Sequence, residues 1–197
     1  MNCRGKKERN RRGAALIEMT LVGIPIIFVL ISVFEISRGM WVYHTSAYAV
    51  RDGVRFAQVH GINCITTLGV VSVNNCPKTI ADVTGIIRTA AVGLPSTTTM
   101  LTFTPGSTSG TATSCYMGSS SASPVAGPYG SKVGCLSLTT TWPPNDGTGV
   151  LNGVGKKIQI DIKTPFKSAL AMFWPGAGSR KFAATDLGAR SSDYIQF

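Results

Sequence analysis

The sequence predicts an α+β protein: a long N-terminal helix, first transmembrane and then amphipathic, packed on a small antiparallel sheet with disulfide-tied loops. Three observations predict it. An apolar run of helical length follows a basic N-terminus. The next stretch repeats its apolar residues every three to four positions. A later stretch, KIQIDIKT, alternates strictly between polar and apolar residues. With 197 residues, the chain has room for one ordinary domain and an appendage.

The formal net charge is +10, and 44% of the residues are hydrophobic. That balance excludes general disorder. It invites a nucleic-acid reading, but the charge is in the wrong place for one. Residues 1–13 hold six basic residues (Arg4, Lys6, Lys7, Arg9, Arg11 and Arg12) and one acid, Glu8. The rest is scattered. Its best cluster, Lys156, Lys157, Lys163 and Lys167, reads as the wet face of a sheet. No nucleic-acid partner is expected.

Ala14–Phe34 is apolar with one charge, Glu18. As a helix it spans about 31 Å, the thickness of the hydrocarbon core. The basic flank holds the N-terminus in the cytoplasm and leaves everything after Phe34 outside. An ordinary secretory signal needs small residues just past the apolar core. The nearest A-x-A, Ala47-Tyr48-Ala49, is too far away. Glu18 stands out, because an acid in a membrane helix costs up to roughly 2.5–3.5 kcal/mol at mid-bilayer. A cut after Gly13 would make Ala14 the new N-terminus and Glu18 its fifth residue. One subunit's amine could then neutralise its neighbour's Glu18.

Arg11-Arg12-Gly13, Ala14-Ala15-Leu16-Ile17-Glu18 and the apolar stretch after them resemble the class III signal of type IV pilins and pseudopilins. The layout is most similar to the TadE/TadF-type minor pseudopilins of tight-adherence (Flp) pilus systems. The resemblance implies cleavage between Gly13 and Ala14 by a prepilin peptidase and a role for Glu18 in assembly. Its implied partners are other pilins through the N-terminal helix, the inner-membrane assembly platform and membrane lipid. It implies an inner-membrane and periplasmic location, then the pilus or cell surface, and a role in adherence. Residues 1–13 would be a removed leader, 14–60 the spine helix and its extension, and 61–197 the extracytoplasmic domain. Pro25 departs from regular helix packing and is expected to kink or locally break the helix.

Glu35–His60 continues as a helix. Ile36, Met40, Tyr43, Ala47, Val50, Val54 and Ala57 form its apolar stripe, Gly39 and Gly53 are weak points, and Gly61 is a stop. His44 and His60 have no partner at metal-ligand spacing. Thr79–Val92 has helical spacing and ends at Gly93 and Pro95. Thr97–Thr104 reads as a strand. Thr104–Ser131, rich in Ser, Thr and Gly and free of charge, reads as a long loop tied by Cys115. Lys132–Trp142 reads as a second strand and Lys157–Thr164 as the clearest one. Pro165–Trp174 suggests a short helix, and Lys181–Asp186 and Ser191–Phe197 could close the sheet.

Cys3 lies in the leader. Cys64, Cys76, Cys115 and Cys135 remain, an even count beyond a membrane anchor, and they read as disulfides in an oxidising compartment. Three pairings are possible. The local one, Cys64–Cys76 with Cys115–Cys135, is preferred because each bridge closes a poorly anchored loop. The spacings fit no common zinc knuckle, so no metal is expected.

Catalytic motifs are absent: there is no H-E-x-x-H and no G-x-S-x-G. Gly149–Lys157 fails the phosphate-loop pattern at Val150 and Lys157. Neither an enzyme nor a cofactor is expected. The alternative to a minor pseudopilin is an uncleaved, membrane-anchored binding module outside the membrane. Its contacts would be the Ser/Thr/Gly-rich loop with Tyr129, Trp142 and Trp174.

Overall fold

The structure, a computed structural model, describes residues 5–61, 78–106, 111–144, 153–168 and 185–196. Cys3, Cys64, Cys76, Val150, Trp174 and the segments 169–184 and 145–152 lie outside the described residues, so the pairing expected of Cys64 and Cys76 does too. The elements run α1 (Gly5–Gln58), α2 (Ile80–Ala90), β1 (Met100–Pro105), β2 (Thr113–Tyr116), β3 (Val125–Gly127), β4 (Gly130–Lys132), a short 3-10 turn (Cys135–Ser137), β5 (Lys157–Phe166) and β6 (Thr185–Tyr194).

Helix α1 has 54 residues, roughly 80 Å at 1.5 Å per residue. Pro25 is inside it and does not break it, although its ring nitrogen cannot donate to the carbonyl of Leu21. Gly39 and Gly53 do not interrupt it either.

The buried face of α1 is not the expected stripe. Glu35, Val42, Ser46, Ala49, Val50, Val54, Ala57 and Gln58 are buried, whereas Ile36, Met40 and Tyr43 are exposed. Only the C-terminal part of that stripe, Val50, Val54 and Ala57, holds. The physical reason is closeness of approach. A Cβ on Gly53 would lie 2.4 Å from Cγ1 of Ile87, and one on Gly39 would lie 3.8 Å from the ring of Phe166. The seam is therefore lined by small residues, seven apart at Gly39, Ser46 and Gly53. Ser46 satisfies its buried hydroxyl by donating to the carbonyl of Val42 at 2.7 Å.

Thr79 starts α2. Its hydroxyl accepts from the amide of Asp82, and the Asp82 carboxylate accepts from the amide of Thr79 at 2.8 Å. These bonds, the backbone one foremost, hold the Asp82 carboxyl below the usual carboxylate range. Ile80, Val83, Thr84 and Ile87 form the buried face of α2. Contacts of Gly53 with Ile87, and of Trp41 with the turn at Gly93, show that α2 runs back along α1 toward its apolar end. Gly93 has φ 80°, a conformation natural to glycine.

Four strands form one antiparallel sheet in the order β2-β1-β5-β6. Its inner face is set by alternation: Ile158, Ile160 and Ile162 of β5 are fully buried. Phe103 lies opposite Ile160, and Leu101 opposite Ile162. Burying each such side chain contributes about 1.5–3 kcal/mol. The outer face carries Lys157, Gln159, Asp161 and Lys163, with Asp161 paired to Arg190 across the strands. Helix α1 covers the inner faces of β5 and β6.

Three expectations are corrected. Lys132–Trp142 is not a strand: it holds the end of β4, the 3-10 turn and an extended segment. The carbonyls of Leu138 and Thr140 accept from the amides of Ala81 and Ile80, the otherwise unsatisfied first turn of α2, at 3.2 and 2.9 Å. Thr104–Ser131 is not one long loop, since β2, the β3–β4 hairpin and the start of β4 are built from it. Pro165 and Phe166 belong to β5, and β6 is one ten-residue strand instead of two fragments. Cys115 and Cys135 form the expected disulfide, closing a separation of 20 residues.

Candidate functional site: the exposed helix and its junction with the domain

Residues 13–34 of α1 make no core. Leu16, Ile17, Met19, Leu21, Ile24, Ile27, Phe28 and Leu30 all face outward. This segment is long and apolar enough to cross a membrane, and none of its most apolar window is buried. Its hydroxyls are satisfied within the helix: Thr20 donates to the carbonyl of Ile17, and Ser32 to that of Phe28. A polar side chain in hydrocarbon must close such bonds locally.

Glu18 is the exception. It is exposed and has no hydrogen bond or ion pair among the described residues. Gly13 and Ala14 lie one turn before it, also exposed, and a Cβ on Gly13 would meet open space. One helix edge thus carries the expected cut position and an unpartnered carboxylate.

The junction with the domain begins at Glu35, one residue past Phe34. Glu35 is 7% exposed, and its Oε2 has no partner among the described residues. Oε1 is 3.8 Å from the guanidinium of Arg38. Arg38 also lies over the ring of Phe166, 5.0 Å from its centre, and donates to the carbonyl of Lys167 at 3.4 Å. No linker separates the exposed apolar segment from the domain, because α1 runs unbroken through Phe34 and Glu35. Sequence reasoning missed Glu35, which it counted only as the start of the helical extension. The available signal was its place on the small-residue seam, four positions before Gly39.

The other candidates do not converge. Trp142, a proposed ligand contact, is buried with its ring edge-on to Phe103. Tyr129 donates to Asp186 at 3.0 Å and stacks on Tyr116. Burial, then that bond, pushes its hydroxyl well above its ordinary value. His60 is held at the end of α1 by the carbonyl of Phe56 at 2.6 Å. No group of three His, Cys, Asp or Glu that could hold a metal occurs among the described residues.

Fold and site together define a class: an α+β protein whose single apolar helix suggests membrane anchoring and is also part of its core. Comparison with known families narrows this. The family model for TadE-like protein matches residues 13–55, and over that segment the chain is similar to TadE-like protein. The match begins at the expected cut position and ends near the C-terminus of α1. It therefore covers the helix and not the sheet, and it associates the chain with the tight-adherence pilus system. No curated protein and no solved structure matches the chain.

Proposed function

We propose that the protein is a minor pseudopilin of a tight-adherence pilus, a structural subunit or assembly factor with no catalytic activity. One observation carries the reading: the TadE-like match coincides with an exposed apolar helix whose only charge between Ala14 and Phe34 is an unpartnered Glu18. A prepilin peptidase cuts between Gly13 and Ala14. The freed amine of one subunit then meets the Glu18 carboxylate of another, which removes two charges from the apolar layer. Other pilins and the inner-membrane assembly platform bind through the same helix. The disulfide-tied domain faces outward, contributing to adherence.

The test is the N-terminus of the protein recovered from membranes and sheared pili, together with Glu18→Ala. A chain starting at Ala14, with a variant that is inserted and cut but absent from pili, is the expected result. A chain starting at Met1 would favour the uncleaved anchor, and normal piliation of the variant would remove Glu18 from the mechanism.

A further inference from the structure

The apolar exposure of α1 does not stop at the domain. Met40, Trp41 and Tyr43 are 55%, 50% and 47% exposed, although the core begins at Glu35 and Val42. Val92, beside the Gly93 turn on which Trp41 rests, is 66% exposed. Further along α1, the large exposed apolar side chains thin out to Tyr48 and Val59.

Depth explains this band better than direction. Setting the charged Glu18 at the cytoplasmic boundary moves the span from the expected Ala14–Phe34 to Met19–Arg38, twenty helical residues that cross about 30 Å of hydrocarbon. The headgroup layer adds about 5–7 Å on that side, the height of residues 39–43. At this height the exposed groups surround the helix. Trp41 lies toward α2, Arg38 lies toward β5 over Phe166, and exposed Lys167 follows at the strand end. A protein partner covers one side, whereas a layer touches every side at one depth. Tryptophan and tyrosine with flanking basic residues are what a membrane–water interface selects.

We infer that the membrane-proximal rim of the domain, Met40, Trp41, Tyr43 and Val92 flanked by Arg38 and Lys167, is seated in the headgroup layer of the bilayer that α1 crosses. This rests on α1 spanning a membrane and goes beyond it, because it places part of the folded domain in lipid. The opposite end stays in water. There the amide of Gln196 donates to the carbonyl of Gln58, and the Gly153–Gly155 turn joins Ile195.

The test uses the full chain in vesicles of phosphatidylethanolamine and phosphatidylglycerol. Nitroxide labels are attached through Ile26→p-acetylphenylalanine, Val92→p-acetylphenylalanine and Val154→p-acetylphenylalanine, all at exposed positions. Collision with oxygen and with a water-soluble nickel chelate reports depth. The expected oxygen-to-nickel ratio is highest at 26, lowest at 154, and several-fold above the 154 value at 92. A lipid signature at 26 with 92 matching 154 overturns the seating and leaves the span intact. A water signature at 26 overturns the span itself.

Discussion

The two halves of α1 obey opposite rules. From Leu16 to Phe34 its large apolar residues face outward. From Val42 to Gln58 its buried residues are mostly small, and the largest are valines and a glutamine. The first half is selected by its solvent, the second by the distance to its neighbours. Hydropathy therefore finds the first half and misplaces the buried face after it, where Ile36, Met40 and Tyr43 look like core and are surface.

The largest contrast should come from truncation at matched isoleucines. Ile160→Ala removes a fully buried side chain and should cost roughly 2–5 kcal/mol. Ile26→Ala should leave the unfolding midpoint of the domain unchanged. Urea titration in detergent, followed by near-ultraviolet dichroism, separates the two, and equal effects would break the comparison.

Glycines give the next contrast. Gly53→Val must displace Ile87 and should cost about 1–3 kcal/mol, read as a lower urea midpoint. Gly23→Val meets nothing within 4 Å and should cost the domain nothing. A tolerated valine at 53 would mean that the α1–α2 seam is looser than the structure has it.

Smaller effects sharpen the domain side. Thr79→Ala removes the reciprocal cap of α2 and should cost about 1 kcal/mol. The Asp82 half of that cap is pH-dependent. Its carboxyl is held below the ordinary value of 3.8, so its contribution is complete above that pH. It is lost as the pH falls through the folded-state value. The penalty of Thr79→Ala should therefore shrink in titrations carried below pH 3.8 and stay constant above it.

Local signals made part of the fold legible. β5 was readable because three isoleucines alternate with polar residues on a half-wet sheet. α2 was readable because Thr79 and the Gly93–Pro95 stop bracket a helical repeat. The stretch from Gly13 through Glu18 was readable as a family resemblance, and the TadE-like match covers it. Lys132–Trp142 misled because Cys135 and Trp142 are buried, as a strand's residues would be, but its carbonyls are divided: those of Leu138 and Thr140 serve the start of α2, and that of Val133 accepts from Tyr116 of β2. That competition between partners is tertiary and leaves no period in the sequence. Glu35 was hidden for a similar reason: its one signal, a place on the small-residue seam four positions before Gly39, does not say what the seam packs against.

The absence of a linker at Phe34–Glu35 has a mechanical consequence. Tension applied to the exposed apolar half of α1 would reach the sheet as shear along one rod, without a slack tether to absorb it. Val50, Val54 and Ala57 are then the grip. Withdrawal of the rod would strip the sheet of its cover, so anchor and fold fail together, and the domain registers every tilt of its own mast.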